Sequence, residues 1–93
     1  MAMVAPLAVE LAPRRIRVNA VSPSAIETPA LDKLGLSSEQ LVAFGTWINR
    51  RLLVGRTGTA EDVARLVAFL VSPAAGFING SVIPIDGGMS VSM

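Results

Sequence analysis

The amino-acid sequence predicts an α/β fold in which helices cover a parallel sheet. Two short segments rich in β-branched residues, at positions 16–21 and 81–85, have the composition of strands. Segments with helical periodicity stand before the first strand and between the two, and parallel pairing needs such a long crossover. Because two strands alone do not form a stable sheet, the pattern indicates the C-terminal portion of a doubly wound parallel sheet, its last two strands with covering helices.

The composition suggests that this chain buries faces against structure outside itself. Residues of the apolar class make up 52% of the 93 positions, and charged residues make up only 16%, against roughly 25% in a typical domain. A small domain has much surface for its volume and should be more polar than average. We therefore expect either a slab of a larger core or a chain that packs against partners.

Charge and residue types exclude several classes of function. Eight basic and seven acidic residues give a net charge of +1, which argues against a nucleic-acid partner. The chain has no Cys, His or Tyr, which excludes disulfides, thiol nucleophiles and a Ser-His-Asp arrangement. The absence of cysteine is compatible with a cytoplasmic location. The uncharged stretch 66–85 is interrupted by Ser72-Pro73, Asn79-Gly80 and Pro84, so no membrane span is expected.

The first half of the sequence predicts a helix, a strand and a long lid. Residues 3–12 have helical spacing and stop before Pro13, and a strand is expected over residues 16–23. Residues 24–53 are interpreted as a lid, because long connections in compact proteins are usually functional or disordered. Within it, Ser37 and Gln40 form a capping-box pattern that opens a helix reaching about residue 53.

The second half predicts a helix and an edge strand. Thr59 and Asp62 make another capping box, at the start of a helix over residues 59–72. Between positions 62 and 71 only Arg65 interrupts its apolar surface, so we expect burial on more than one side, against the sheet and against another subunit. Pro84 cannot donate a ladder hydrogen bond, which places the strand 81–85 at a sheet edge.

Two ordered motifs resemble the C-terminal part of the short-chain dehydrogenase/reductase family, of the 3-oxoacyl-acyl-carrier-protein-reductase-like kind. They are LAVELAPRRIRVNAVSPSAIETP, at positions 7–29, and RTGTAEDVARLVAFLVSPAAGFINGSVIPIDGG, at positions 56–88. The resemblance implies a Rossmann-like fold and an oxidoreductase that moves a hydride between NAD or NADP and a carbonyl/alcohol pair. It also implies that residues 1–12 are the end of the catalytic-helix region.

The same resemblance implies that the loop after the first strand contacts the nicotinamide end of the cofactor. The matching positions are Pro23, Ser24, Ile26 and Thr28. Ligands of open parallel sheets bind beyond the carboxyl ends of the strands, where Pro23 stands. Taken singly, these residues are equally explained by a turn, a core side chain and a local cap. Ser24 replaces the family's usual glycine.

The catalytic residues that the family requires are not in this sequence. Its hydride transfer needs a Tyr-x-x-x-Lys helix, a Ser and a glycine-rich turn, whereas this chain has no Tyr. We therefore expect no activity from the chain by itself. A homo-oligomer through the helix 61–71 and the strand 81–85 is expected. The alternative is a non-catalytic remnant that acts only as a self-association or subunit-packing module.

Overall fold

A computed structural model describes residues 2–27 and 33–92. Three helices and two strands alternate in the predicted order. Their bounds are α1 Val4–Leu11, β1 Ala20–Pro23, α2 Ser38–Arg51, α3 Ala60–Leu70 and β2 Val82–Ile85. Short 3₁₀ turns follow α1, α3 and β2, at Ala12–Arg14, Pro73–Ala75 and Met89–Val91.

The two strands pair in parallel, which confirms the predicted α/β class. The register runs from Ala20 opposite Val82 to Pro23 opposite Ile85. The ladder extends by one bond at each end, from the Ala20 amide to the Ser81 carbonyl at 2.9 Å and from the Ser24 amide to the Ile85 carbonyl at 3.0 Å. The backbone amides and carbonyls of alternate residues in β2 point toward β1. Those of Pro84 point to the outer edge of the sheet, so the N–H that proline lacks removes no hydrogen bond to β1.

The ladder begins at Ala20, four residues later than the predicted strand 16–23. Upstream of it, side chains replace ladder bonds. The Val18 amide donates to Asn79 Oδ1 at 2.9 Å. Asn19 donates to the Ile78 carbonyl and accepts from the Ser81 amide, each at 3.0 Å. Asn19 is therefore a structural hydrogen-bonding residue, as the sequence suggested.

Arg17 ties the start of this region to the end of α3. Its guanidinium donates to the carbonyls of Leu70 at 2.8 Å, Ile78 at 3.1 Å and Ser72 at 3.4 Å. The last carbonyls of a helix lack intrahelical partners, and a cation there is favourable. Arg17 thus holds the C-terminal end of α3 against the segment that precedes β1.

Both predicted capping boxes are present. Ser37 accepts from the Gln40 amide at 3.1 Å, and its own amide donates to Gln40 Oε1 at 2.8 Å. Thr59 accepts from the Asp62 amide at 3.2 Å, and its amide donates to Asp62 Oδ2 at 2.9 Å. Each box satisfies two amides that the first helical turn leaves open.

Residues of this chain cover one side of α3 and leave its other side exposed, so the expected contact of that side with another subunit stays a prediction. Leu70 is buried, but Val67, Phe69 and Val71 are 41%, 46% and 75% exposed. The reason is that α3 has a single two-stranded sheet to pack on, and one face suffices for it. The other apolar face is left to solvent.

The core of the chain is correspondingly small. Its buried apolar residues are Val4, Ala8, Ile48, Leu52, Leu70 and Ala75. Large apolar side chains lie outside it, among them Trp47, Leu53 and Phe77. An isolated domain rarely exposes so many large apolar side chains. Within residues 2–27 and 33–92, no helix has both the length and the apolar character to cross a membrane.

Candidate functional site

A loop formed by residues 23–27 leaves β1 at the carboxyl end of the sheet. The Ser24 amide still belongs to the ladder through its bond to Ile85. The Ser24 hydroxyl lies 3.9 Å from Met89 Sδ, a weak acceptor. Pro23 and Ser24 are exposed and Ile26 is half-buried. Three of the four predicted contact residues therefore lie in this loop at the carboxyl end of the sheet, while Thr28 lies outside the described residues.

Ile26 forms a parallel bridge with Gly58. The Gly58 amide donates to the Ala25 carbonyl at 2.9 Å, and the Glu27 amide donates to the Gly58 carbonyl at 2.8 Å. In such a bridge the bonds come from the neighbours of the central residue, whose own amide and carbonyl point to the opposite side. Neither polar group of Ile26 has a hydrogen-bond partner within the described part of the chain.

The backbone of this loop is strained at Ala25, not at Ser24. Ala25 has a φ of 57°, in the left-handed region that favours glycine. Among the described residues, the non-glycine residues with a positive φ are Ala25 and Arg15, whose φ is 58°. Ser24 is not one of them. The serine that replaces the family's glycine therefore brings no positive-φ strain.

A charged network fixes the segment that holds Gly58. The Arg56 guanidinium donates to both oxygens of Asp62, at 2.8 and 3.2 Å. Asp62 also accepts from the amide of Thr59. The hydrogen bonds from Arg56 and then from Thr59 hold the pKa of the Asp62 carboxyl well below its usual range. Asp62 is 23% exposed and Arg56 61%, so the carboxylate is the sheltered member of the pair.

A second contact ties the same two segments together. Thr57 Oγ1 donates to Glu27 Oε1 at 3.0 Å, in an exposed position. Glu27 is exposed, which favours a solvated carboxylate over a general base. Asp32 lies outside the described residues.

The turn after β2 forms the other wall. The Val54 amide donates to the Gly87 carbonyl at 3.1 Å, which joins the end of the α2 segment to this turn. Asp86 accepts from the amides of Gly88 at 3.0 Å and Ser90 at 3.1 Å. Hydrogen bonds from Ser90 and from the Gly88 amide lower the pKa of the Asp86 carboxyl. Gly87 and Gly88 have φ of 62° and 90°, which suit glycine.

These walls enclose a hollow of about 270 Å³ at the carboxyl ends of both strands. Its lining combines backbone from the two loops with the ion pair: Ser24, Ile26, Val54, Arg56, Gly58, Asp62, Ile85 and Gly87. A larger hollow of about 550 Å³ lies between β1 and α3, with Val21, Val67 and Leu70 in its wall. The smaller one is the candidate site, because two of the predicted residues, Ser24 and Ile26, line it and it lies where ligands of parallel sheets bind.

Sequence reasoning missed three residues of this site. Gly58 was part of a predicted turn, Asp62 was assigned only to a helix cap, and Arg56 was given no role. The signal available was RTGT, a basic residue and a glycine directly before a capped helix. It could indicate a cation near the Asp62 carboxylate, but not the pairing of Gly58 with Ile26, which depends on the fold.

Trp47 and Phe44 form a half-exposed aromatic pair on α2. Their ring centroids are 6.3 Å apart, and the Arg51 guanidinium carbon lies 5.2 Å from the Trp47 ring centroid. Neither ring lines the candidate site. Among the residues that the structure covers, no group of three or more His, Cys, Asp or Glu could hold a metal ion.

Comparison with known proteins agrees with this architecture. A family model described as enoyl-(acyl carrier protein) reductase matches residues 1–90. A 3-oxoacyl-[acyl-carrier-protein] reductase of Thermotoga maritima is 42% identical over 82 residues, which are 88% of this chain and 31% of the relative. A tropinone reductase homologue of Arabidopsis thaliana is 44% identical over 92% of this chain and 27% of its own length. The chain thus spans about a third of the curated relatives it matches.

Solved structures give the same result. A 7α-hydroxysteroid dehydrogenase in complex with NADH superimposes with a TM-score of 0.80 at 32% identity, covering 94% of this chain and 32% of the other. A short-chain type dehydrogenase/reductase from Mycobacterium ulcerans gives 0.81 at 32% identity, covering 98% and 32%. The fold and the loop at the sheet edge define a Rossmann-type α/β protein. The chain belongs to the short-chain dehydrogenase/reductase family, and within it resembles the 3-oxoacyl-acyl-carrier-protein reductases.

Proposed function

We propose that this chain is the C-terminal part of an NAD(P)-dependent oxidoreductase acting on a carbonyl/alcohol pair. In that enzyme it supplies one wall of the nicotinamide pocket, a substrate lid over residues 24–53 and a subunit interface. The Tyr, Lys and Ser of the reaction and the glycine-rich turn come from residues outside this sequence. The chain by itself is then inactive, and the assembled enzyme acts in the cytoplasm.

The observation that carries this proposal is the position of Ile26. Its amide and carbonyl face away from the Gly58 bridge and have no partner among the described residues. Ile26 is half-buried as a residue, and its amide donor and carbonyl acceptor together match the carbonyl and amino groups of a carboxamide. Relatives of known structure support the ligand, since one contains NADH and a proposed 2-deoxy-D-gluconate 3-dehydrogenase from Agrobacterium tumefaciens contains NADP.

In this role the residues of the chain bind and orient. The Ile26 amide donates to the carboxamide oxygen and the Ile26 carbonyl accepts from its nitrogen. Ile85 and Val54 give that side of the hollow an apolar lining. Thr28 is proposed as a further hydroxyl donor, and Pro23 and Ser24 as the turn that brings the loop to the ring. The bound nicotinamide supplies hydride transfer, and fixing its orientation lowers the entropic cost of reaction.

The apolar surface has a place in the same proposal. The outer face of α3 and the free edge of β2, over residues 61–71 and 81–85, pack against a second subunit. The larger hollow beside Val21 and Val67 receives a preceding part of the fold. Val67, Phe69, Val71 and Val82 are exposed in this chain, and covering their apolar area stabilises the assembly by roughly 25 cal/mol for each Å² buried.

The nucleotide sequence before Met1 tests the enzyme proposal most economically. We expect an open frame that encodes Tyr-x-x-x-Lys shortly upstream and a glycine-rich turn further upstream. A frame without both would overturn the proposal and leave a packing module. The purified chain should show no turnover with NADH or NADPH, and measurable turnover would place catalytic groups inside these 93 residues.

A further inference from the structure

A series of contacts runs from Asp62, in the first turn of α3, to the loop of residues 23–27. Its carboxylate receives two hydrogen bonds from Arg56, at 2.8 and 3.2 Å, and one from the Thr59 amide at 2.9 Å. Arg56 also donates to the Thr57 carbonyl at 3.1 Å. The segment 56–59 is therefore fixed on the first turn of α3 from three directions.

That segment in turn holds the loop. In the described part of the chain, the backbone hydrogen bonds of residues 25–27 all run to Gly58, through Ala25 and Glu27. Thr57 adds the side-chain bond to Glu27. Gly58 also leaves room for the Ile26 side chain, because a Cβ there would lie 2.6 Å from Ile26 Cδ1. Glycine at this position therefore lets the Ile26 side chain lie beside the bridge.

We propose that Asp62 and Gly58 are positioning residues for the cofactor loop. Asp62 fixes Gly58, and Gly58 holds Ile26 so that its amide and carbonyl point away from the bridge toward the ligand. The nature of that ligand rests on the proposed function; the positioning itself does not. Neither residue touches the reacting atoms, so both act through Ile26.

The competing explanation is that Asp62 serves only as the partner of Thr59 in the helix cap. A cap alone affects the first turn of α3, which Asp62 shares with Thr59. A positioning role also affects the Glu27 amide, which lies outside the helix and touches Asp62 only through Gly58. Protection of the Glu27 amide from hydrogen exchange therefore separates the two explanations.

The experiment is amide hydrogen exchange, followed by NMR, on the 93-residue chain and its variants without ligand. Arg56→Met, which removes the ion pair and leaves the cap, is expected to speed exchange at Glu27 and Gly58 about fivefold. Asp62→Asn should speed it roughly tenfold, because it weakens the cap as well. Arg56→Lys keeps the charge and should lose less protection than Arg56→Met. The ladder amides of Ala20 and Ser24 should change less than about twofold.

Glu61→Gln is the matched control. Glu61 accepts from Arg65 at 2.6 Å on the same helix, and among the described residues its side chain forms no hydrogen bond to residues 56–59. It should leave exchange at Glu27 unchanged. The proposal is overturned if the Glu27 amide keeps its protection in Arg56→Met and in Asp62→Asn, or if the ladder amides of Ala20 and Ser24 lose protection to the same extent. It is also overturned if the Glu27 and Gly58 amides of the unmodified chain already exchange at unfolded-chain rates. Because no ligand is present, this outcome is independent of whether the loop binds a nicotinamide.

Discussion

The Ile26 side chain fills the space beside Gly58. A Cβ on Gly58 would lie 2.6 Å from Ile26 Cδ1, while its amide and carbonyl bond to the neighbours of Ile26 at 2.9 and 2.8 Å. The segment that precedes α3 and the loop that leaves β1 are thus joined at this bridge, to which Thr57 and Glu27 add a side-chain hydrogen bond. The geometry of the candidate site depends on these contacts.

Replacing this glycine should open the site. Gly58→Ala forces the Ile26 side chain or the loop to move, and overpacking of this kind typically costs about 1–3 kcal/mol. Ile26→Val removes the clashing Cδ1, so the double variant should recover to within about 0.5 kcal/mol of the Ile26→Val parent. Urea denaturation gives the stabilities, and the Glu27 amide shift reports the loop.

Gly45→Ala is the control for that pair. Gly45 lies inside α2 with no heavy atom within 4 Å of a Cβ placed there. The change should stabilise the chain by up to about 1 kcal/mol through helix propensity. If Gly58→Ala were equally harmless and left the Glu27 shift in place, the bridge would not depend on glycine.

The positive φ of Ala25 predicts a stabilising substitution. A left-handed conformation costs an L-residue roughly 1–2 kcal/mol, and glycine relieves it at an entropic cost of about 0.5–1 kcal/mol. Ala25→Gly should therefore raise the free energy of unfolding by about 0.5 kcal/mol. Ser24→Gly should not, because Ser24 has no positive φ. Thermal unfolding of both variants measures these changes in stability. A gain in stability for Ser24→Gly but not for Ala25→Gly would place the strain one residue earlier.

Low pH should destabilise the candidate site, because Asp62 and Asp86 lose their charges there. Hydrogen bonds in the folded chain hold the pKa of both carboxyls below the ordinary value of 3.8. Groups with a lowered pKa stabilise the fold above the unfolded value and lose that contribution as pH falls below it. Stability should change little from pH 7 to 5 and decline below about pH 4.

Asp62→Asn isolates the contribution of one carboxyl. This variant should be less stable than the unmodified chain at pH 7, and the difference should narrow as the pH falls below the ordinary carboxyl pKa of 3.8, where the unfolded chain takes up a proton before the folded chain does. Thermal melts at a series of pH values measure the difference. A gap that stays constant from pH 7 to pH 2 would mean that the Asp62 charge contributes nothing.

The exposed apolar face of α3 should mediate self-association. Phe69 is 46% exposed on that helix, and Val42, which is 70% exposed on α2, offers a comparable apolar residue elsewhere. We expect concentration-dependent dimers or larger species in sedimentation experiments. Phe69→Glu should shift them toward monomer by placing a charge in the contact, whereas Val42→Glu should not. A monomeric unmodified chain, or equal effects of both substitutions, would argue against this interface.

Local signals in the sequence were sufficient for the helices. The capping boxes at Ser37–Gln40 and Thr59–Asp62 involve residues three apart, and such patterns specify a helix start without reference to the rest of the fold. The parallel pairing was also predictable, since a long helical crossover leaves few alternatives. These features fixed the element order and the edge at which the candidate site lies.

Non-local contacts were not predictable in the same way. The bridge between Ile26 and Gly58 leaves no periodicity, because each residue stands in an irregular segment. The side chains of Arg17 and Asn19 donate hydrogen bonds to the Ile78 carbonyl, in the region where a longer strand would form backbone ladder bonds. The ladder therefore begins at Ala20 instead of residue 16. The exposure of α3 depends on what surrounds the chain, which its own residues do not encode.

A chimeric enzyme tests the central claim most directly. The segment of the Thermotoga maritima reductase that matches this chain would be replaced by it, and cofactor binding would be measured by NADPH fluorescence alongside a thermal melt. We predict that the folded chimera binds the cofactor, and that Gly58→Ala weakens binding about tenfold while Gly58→Ala with Ile26→Val restores most of it. A chimera that melts cooperatively but binds neither NADPH nor NADH would contradict the assignment of residues 23–27 as a wall of the nicotinamide pocket.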